Sequence, residues 1–259
     1  PGHCGSCHTG RGVGFQEVAL SNAGPAEYLS GAVIDGWRAK SLRGEHRGLG
    51  TWTTAELSNF FKTGRTDVTA AFGAMAEVVE HSTQYMTDSD LDAMSAYLKT
   101  LSPAPGREVM LPEKKDVTTQ KLLNGEYDSR GAILYTEYCL VCHRADGKGV
   151  PRIFPALDGN SAVYSRHADS VLQITLSGGR MPDTKHDRMA FTMPEFINLS
   201  DEDVAEVVNY IRNSWTNEAS KIDVNDVVQM RHFLSKKPKT GTDLAPDLSV
   251  PHAAEGGKP

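Results

Sequence analysis

Cys4-Gly5-Ser6-Cys7-His8 and Cys139-Leu140-Val141-Cys142-His143 are two copies of one pattern, Cys-x-x-Cys-His, and together they use all 4 cysteines of the 259-residue chain. Two thiols three positions apart can each add to one vinyl group of a haem, and the adjoining imidazole then reaches the iron. Cys-x-x-Cys alone also serves zinc sites and redox dithiols. Zinc would need the two pairs to meet in space and gives no reason for a histidine directly after each pair. A redox dithiol needs a single motif opening a helix after a strand in a βαβ pattern, and no such pattern is visible. The motifs therefore predict two covalently attached c-type haems. Cys4, Cys7 and His8 hold one, Cys139, Cys142 and His143 the other, and the two histidines are the proximal iron ligands.

Composition fits that reading and excludes others. Hydrophobic residues make up 39% of the chain, with 24 Gly and 13 Pro. Such a chain suits loop-rich units in which a large apolar ligand supplies much of each core. A formal charge of −6 argues against nucleic acid, which selects basic faces. No run approaches the roughly 18 consecutive apolar residues of a membrane span. Haem attachment through thiols belongs to an exported, assisted pathway, so the expected location is periplasmic, with a leader already removed.

An internal repeat organises the chain. Thr87-Asp88-Ser89-Asp90-Leu91 runs on to Tyr97-Leu98, and Ser200-Asp201-Glu202-Asp203-Val204 runs on to Tyr210-Ile211 with the same offsets. Each opens with a hydroxyl N-cap and an acid three positions later, then continues with apolar residues at helical spacing. Upstream lie shorter helices, with Leu57, Phe60 and Phe61 before Gly64-Arg65, and Leu172 and Leu176 before Gly179-Arg180. A methionine follows each Gly-Arg. The order of motif, short helix, methionine and capped terminal helix predicts an all-α chain of two tandem class I-like cytochrome c domains joined by a long strap. Their boundaries read as 1–104, a strap over 105–127, 128–217, and a short helix with a Lys-, Pro- and Gly-rich tail over 218–259. Gly131 to Tyr138 make an opening helix for the second domain. Only Pro1, Gly2 and His3 precede Cys4, so the first domain is expected to lack that helix and the chain to be a fragment of a longer one.

The sixth iron ligand has to be inferred. Thioether sulfur favours the reduced ion and raises the potential. In the first half Met75, Met86 and Met94 compete. Met94 fits the apolar face of its helix, Met86 sits just before the cap Thr87, and Met75 lies in a small-residue loop, Phe72-Gly73-Ala74-Met75. His81 is a further candidate in the same stretch. In the second half Met181, Met189 and Met193 compete, and Met193 is favoured because Pro194 stiffens the loop that presents it. The carbonyl of Pro155 is a candidate to orient His143, the alternative being an ordinary loop proline, and Arg65, Arg180, Trp52 and Tyr164 are candidate partners of haem propionates.

The run from Ala71 to Tyr85, the stretch Gly2 to Thr9 around the first motif, and Phe191-Thr192-Met193-Pro194 closely resemble the cytochrome subunits of bacterial membrane-bound alcohol, gluconate and fructose dehydrogenases. The likeness covers nearly the whole chain from Gly2 to about Leu234 and matches the second and third haem domains of a three-haem subunit. It implies Met75 and Met193 as sixth ligands. It also implies electron transfer from a flavin- or quinoprotein dehydrogenase catalytic subunit toward ubiquinone, at the periplasmic face of the inner membrane. The rival readings are a dihaem periplasmic enzyme of peroxidase or thiosulfate dehydrogenase type, which needs an exchangeable iron position, and a free dihaem carrier.

Overall fold

Each Cys-x-x-Cys-His motif closes into a single helical turn in the computed structural model, which describes residues 3–22, 27–107, 110 and 113–236. These turns are α1 (Gly5–His8) and α7 (Leu140–His143). The amide of each histidine donates to the carbonyl of the first cysteine, at 2.8 Å for His8 and 3.0 Å for His143. A helical turn brings positions i and i+3 to one face, so both thiols of a motif point the same way.

The remaining helices begin where the sequence supplies caps. In α2 (Thr54–Thr63) the Thr53 hydroxyl accepts from Glu56 N at 3.1 Å, and the Glu56 carboxylate accepts from Thr53 N at 2.7 Å, a reciprocal capping box. Gly64, at φ 74°, ends it in the left-handed conformation. Next come α3 (Ala74–His81), a 3₁₀ turn over Thr83–Tyr85, and α4 (Asp88–Lys99) capped by Thr87. The second half holds α5 (Thr118–Leu123), α6 (Arg130–Tyr138) capped by Ser129, α7, α8 (Asp169–Ser177), α9 (Asp201–Asn213) capped by Ser200, and α10 (Val224–Lys236). The tail from residue 237 lies outside the described residues.

The chain is not all-α. Two antiparallel ribbons interrupt the helices: β1 (Ala32–Ile34) with β2 (Trp37–Ala39), and β3 (Gly179–Arg180) with β4 (Thr192–Met193). Asp35 and Gly36 form the two-residue loop of the first ribbon, at φ 49° and 78°. Asp-Gly accepts the two positive φ angles that a tight hairpin matching strand twist requires. The Gly179-Arg180 turn is a strand edge paired with the segment that carries Met193.

Nor is the picture of tandem domains joined by a strap correct. Two buried clusters exist, one around Leu29, Leu57, Phe61, Leu91 and Leu98, the other around Tyr135, Leu176, Val204, Val208 and Trp215. The halves interlock across both. Arg38 pairs with Asp169 at 3.0 Å, Arg47 donates to the Tyr164 carbonyl at 3.0 Å, and Lys40 reaches Ser161 at 2.6 Å. The supposed strap contains α5, whose Leu122 joins the second cluster. Thr118 of α5 accepts from Trp215 N at 3.0 Å, and Lys114 donates to the Asn213 and Asn217 carbonyls. In the first half α4 packs against α2, and in the second α6 packs against α9.

Trp215 anchors the second cluster. It is fully buried, its indole N–H donates to the Ala145 carbonyl at 2.9 Å, and Tyr135 meets it edge-on at 5.3 Å between centroids. Gly147 lies so close beneath it that an added Cβ would meet the indole at 2.6 Å. Trp215→Ala is expected to destabilise the fold by about 3–5 kcal/mol, measured by denaturant unfolding. A loss under about 1 kcal/mol, the size of a surface substitution, would contradict this packing role.

Candidate cofactor sites

His8 opens the first site. Its ring Nδ1 lies 2.7 Å from the Lys40 carbonyl. A carbonyl only accepts, so Nδ1 carries the hydrogen and Nε2 keeps its lone pair for a metal. Burial pushes the ring's pKa down, with the Lys40 carbonyl opposing, which favours the neutral form that ligates. The His8 carbonyl accepts from Gly31 N at 2.8 Å, tying α1 to the start of the β1–β2 hairpin. Gly31 stands at φ 95°, and a Cβ there would meet the Ala39 carbonyl at 2.9 Å.

Cys4, Cys7 and His8 face a cavity of about 580 Å³ walled by Leu42, Leu57, Phe60 and Phe61, within the size range of small-molecule and cofactor sites. Met75, Met86 and Met94 all line it, so the structure brings all three sequence-predicted sulfur donors to the cavity of His8. Met75 is not in a loop. It is the second residue of α3, whose N-cap Gly73 has φ 57° and would drive a Cβ to 2.4 Å from Trp37 Nε1. The hairpin thus sets where α3 begins. His81, the other candidate, is exposed at the end of α3.

Lys40 is the cavity's distinctive polar residue. Its ammonium donates to Ser161 at 2.6 Å and stands 4.9 Å from the centroid of Trp52. Burial pushes its pKa down to about 7, with Glu45 opposing. An ammonium so placed gains from an anion brought in with a ligand. Trp52 lines the same cavity, as do Arg107 and Arg166. Arg65 and Arg180 are engaged elsewhere, with Asp187 and Glu80, and the Tyr164 hydroxyl lies 3.2 Å from His46 Nδ1.

The second motif repeats the backbone contacts of the first histidine. His143 Nδ1 donates to the Pro155 carbonyl at 2.9 Å, and the His143 carbonyl accepts from Gly149 N at 3.1 Å. Gly149 has φ 59°, and a Cβ there would meet the Phe154 carbonyl at 2.1 Å. Burial lowers the pKa of His143 and pushes the Cys139 thiol up to about 12. Cys4 shifts upward for the same reason. Redox dithiols need a thiolate at lowered pKa, and the first cysteine of each motif is shifted the opposite way. Among the described residues no group of three or more His, Cys, Asp or Glu is placed to hold a metal ion, so the two cysteine pairs do not meet in a zinc site. Cys139 and Leu140 pack on the second cluster. Met193 stands on a separate element, half-buried on β4 opposite Gly179. Met181 is buried and Met189 exposed.

Sequence reading missed Lys40, Gly31 and Gly149. The Asp35-Gly36 pair, flanked by Val33, Ile34 and Trp37, is the signal that would have revealed the hairpin holding Lys40 against His8.

The profile of the cytochrome c family matches residues 129–215, from the cap of α6 to Trp215. The cytochrome c subunit of gluconate 2-dehydrogenase from Pantoea cypripedii is 41% identical over 236 residues, covering 89% of this chain and 53% of that protein. The cytochrome c subunit of alcohol dehydrogenase (quinone) from Gluconobacter oxydans is 42% identical over 235 residues, covering 89% and 49%. Cytochrome c-554(548) from Halomonas halodenitrificans is 35% identical over 72 residues, which are 28% of this chain and 78% of that protein. The chain thus spans about half the length of the two longer relatives.

Proposed function

The chain belongs to the cytochrome c family, and from that membership we propose that it is a two-haem electron-transfer unit, the cytochrome portion of a periplasmic dehydrogenase complex. The observation that carries the haem count is the duplicated arrangement of motif helix, histidine Nδ1 on a backbone carbonyl and histidine carbonyl on a glycine amide. When bound, each haem supplies a one-electron Fe(II)/Fe(III) couple. Cys4 and Cys7 would hold the first as thioethers, with His8 and Met75 as the residues that would ligate its iron. Cys139, Cys142, His143 and Met193 would do the same for the second. The apolar walls exclude water, which raises the cost of the ferric charge and, with sulfur ligation, the potential.

Lys40, with Ser161 at 2.6 Å, is one of the groups lining the first cavity that suit a propionate, beside Trp52, Arg107 and Arg166. Lys40→Met is expected to lower one of two reduction potentials, on the order of tens of millivolts, and leave the other in place. Removing a cation disfavours the more negative, reduced site, which fixes the sign. A redox titration in which both potentials stay unchanged would contradict this role.

The partner is a flavin- or quinoprotein dehydrogenase catalytic subunit, and the acceptor ubiquinone or another respiratory component. The names of the longer relatives support this reading. The proposed location is the periplasmic face of the inner membrane; among the described residues no helix is long and apolar enough to cross a membrane. Two results test the proposal together. Anaerobic titration of the isolated protein should take up two electrons per chain reversibly, and mass spectrometry of the native complex should identify a dehydrogenase subunit. Peroxidase or thiosulfate turnover by the isolated chain would favour the enzymatic reading instead.

A further inference from the structure

Arg65 is 1% exposed, and its side chain does not line the cavity of His8. It donates to the carbonyls of Pro182 at 2.9 Å, Met189 at 2.7 Å and Arg152 at 3.2 Å, and stands 3.5 Å from the Asp187 carboxylate. All four partners lie in the second half. Three belong to the segment between β3 and β4, the two strands that pair Gly179 with Met193. Glu80, on the same helix as Met75, grips the start of that segment. Its carboxylate accepts from Asp183 N at 2.5 Å and pairs with Arg180 at 3.2 Å. Gln84 accepts from Lys185 N at 2.8 Å, and the His186 ring donates to the Gln84 carbonyl at 3.2 Å.

Packing follows the same line. A Cβ on Gly64, the residue before Arg65, would lie 2.3 Å from Pro182. A Cβ on Gly179 would lie 3.0 Å from the ring of Phe72, three residues before Met75. The segment that presents the second sulfur therefore rests on the helix that presents the first.

We infer that Arg65 and Glu80 are positioning residues for Met193, so that side chains of the first half hold the sulfur donor of the second iron. The inference rests on the proposed ligation by Met193. A sulfur–iron bond tolerates only about half an ångström of drift. Removing a buried guanidinium takes the side-chain donor from the Pro182 and Arg152 carbonyls and leaves the Met189 carbonyl with Phe191 N alone, a large local penalty. The 182–189 segment then has reason to shift, and β4 with it.

The test uses the haem-loaded full chain in a Met75→Ala background, where the remaining red band of ferric sulfur–iron ligation reports Met193 alone. Adding Arg65→Gln or Glu80→Ala should remove most of that band and let the second ferrous iron bind carbon monoxide. Arg65→Lys should restore part of it. Adding Met193→Ala is the control and should remove the band completely. If the control removes it but Arg65→Gln and Glu80→Ala leave it whole, with only a lower melting temperature, the residues are structural and the inference is overturned. If the control leaves the band whole, the ligand assignment itself fails and the inference falls with it. Should Arg65→Gln not fold, Glu80→Ala decides by the same readings.

Discussion

A Cys139→Ser, Cys142→Ser double variant is expected to carry one covalently bound haem, half of the native content, and to lose much of its second cluster. Without both thiols no covalent bond fixes the group, and ligation by His143 and Met193 would hold a haem only reversibly. The structural penalty is as large as the spectroscopic one. Cys139 and Leu140 pack on the cluster around Tyr135 and Trp215, so a missing apolar ligand leaves that side of the core facing solvent. The reciprocal pair, Cys4→Ser with Cys7→Ser, should keep the other haem and leave α6, α9 and Trp215 intact. Haem staining after denaturation and near-ultraviolet circular dichroism read the two effects separately. Loss of both haems from either variant, or of neither, would contradict independent attachment.

Met75→Ala is expected to open the first iron to carbon monoxide and lower its potential by about 0.1 V or more, within the roughly 0.8 V that axial ligands span across haem proteins. The sulfur is the soft ligand that stabilises Fe(II), so its loss moves the potential down. Three sulfurs line this cavity, which makes the comparison informative. All three methionines pack on the first cluster, so each substitution should cost stability, and only closure of the iron separates them: Met86→Ala and Met94→Ala should leave it closed. A spectrum unchanged by Met75→Ala, or an iron opened by Met86→Ala, would move the assignment to another sulfur.

What the sequence disclosed was what short range determines. The caps Thr87 and Ser200 sit where the repeat places them, because a hydroxyl three residues before a free amide acts without help from the rest of the chain. Thr53 and Ser129 cap in the same way, although the sequence reading did not name them. The two motif turns and the Pro155 carbonyl fall in the same class. The β1–β2 hairpin was legible too, through Asp35-Gly36, but the expectation of a purely helical chain obscured it. Met75 shows a subtler limit. Phe72-Gly73-Ala74 reads as loop by composition, yet Gly73 is the N-cap of α3, a role set by the proximity of Trp37.

The contacts between halves were beyond sequence reading for a different reason. Arg65, Glu80 and Gln84 act on residues about 100 or more positions away, and their partners are mostly backbone atoms, which leave no residue-type signature. Lys40 is the same case. Nothing in Ala39-Lys40-Ser41 announces that the lysine carbonyl orients His8 while its ammonium reaches Ser161.

The intact mass of the protein, taken after full denaturation and extraction of non-covalent ligands, tests the central claim most directly. The account predicts one species, the polypeptide plus two haems. A mass with one haem or none would contradict it, since each motif places two thiols on one face of a helical turn and fixes its histidine for iron.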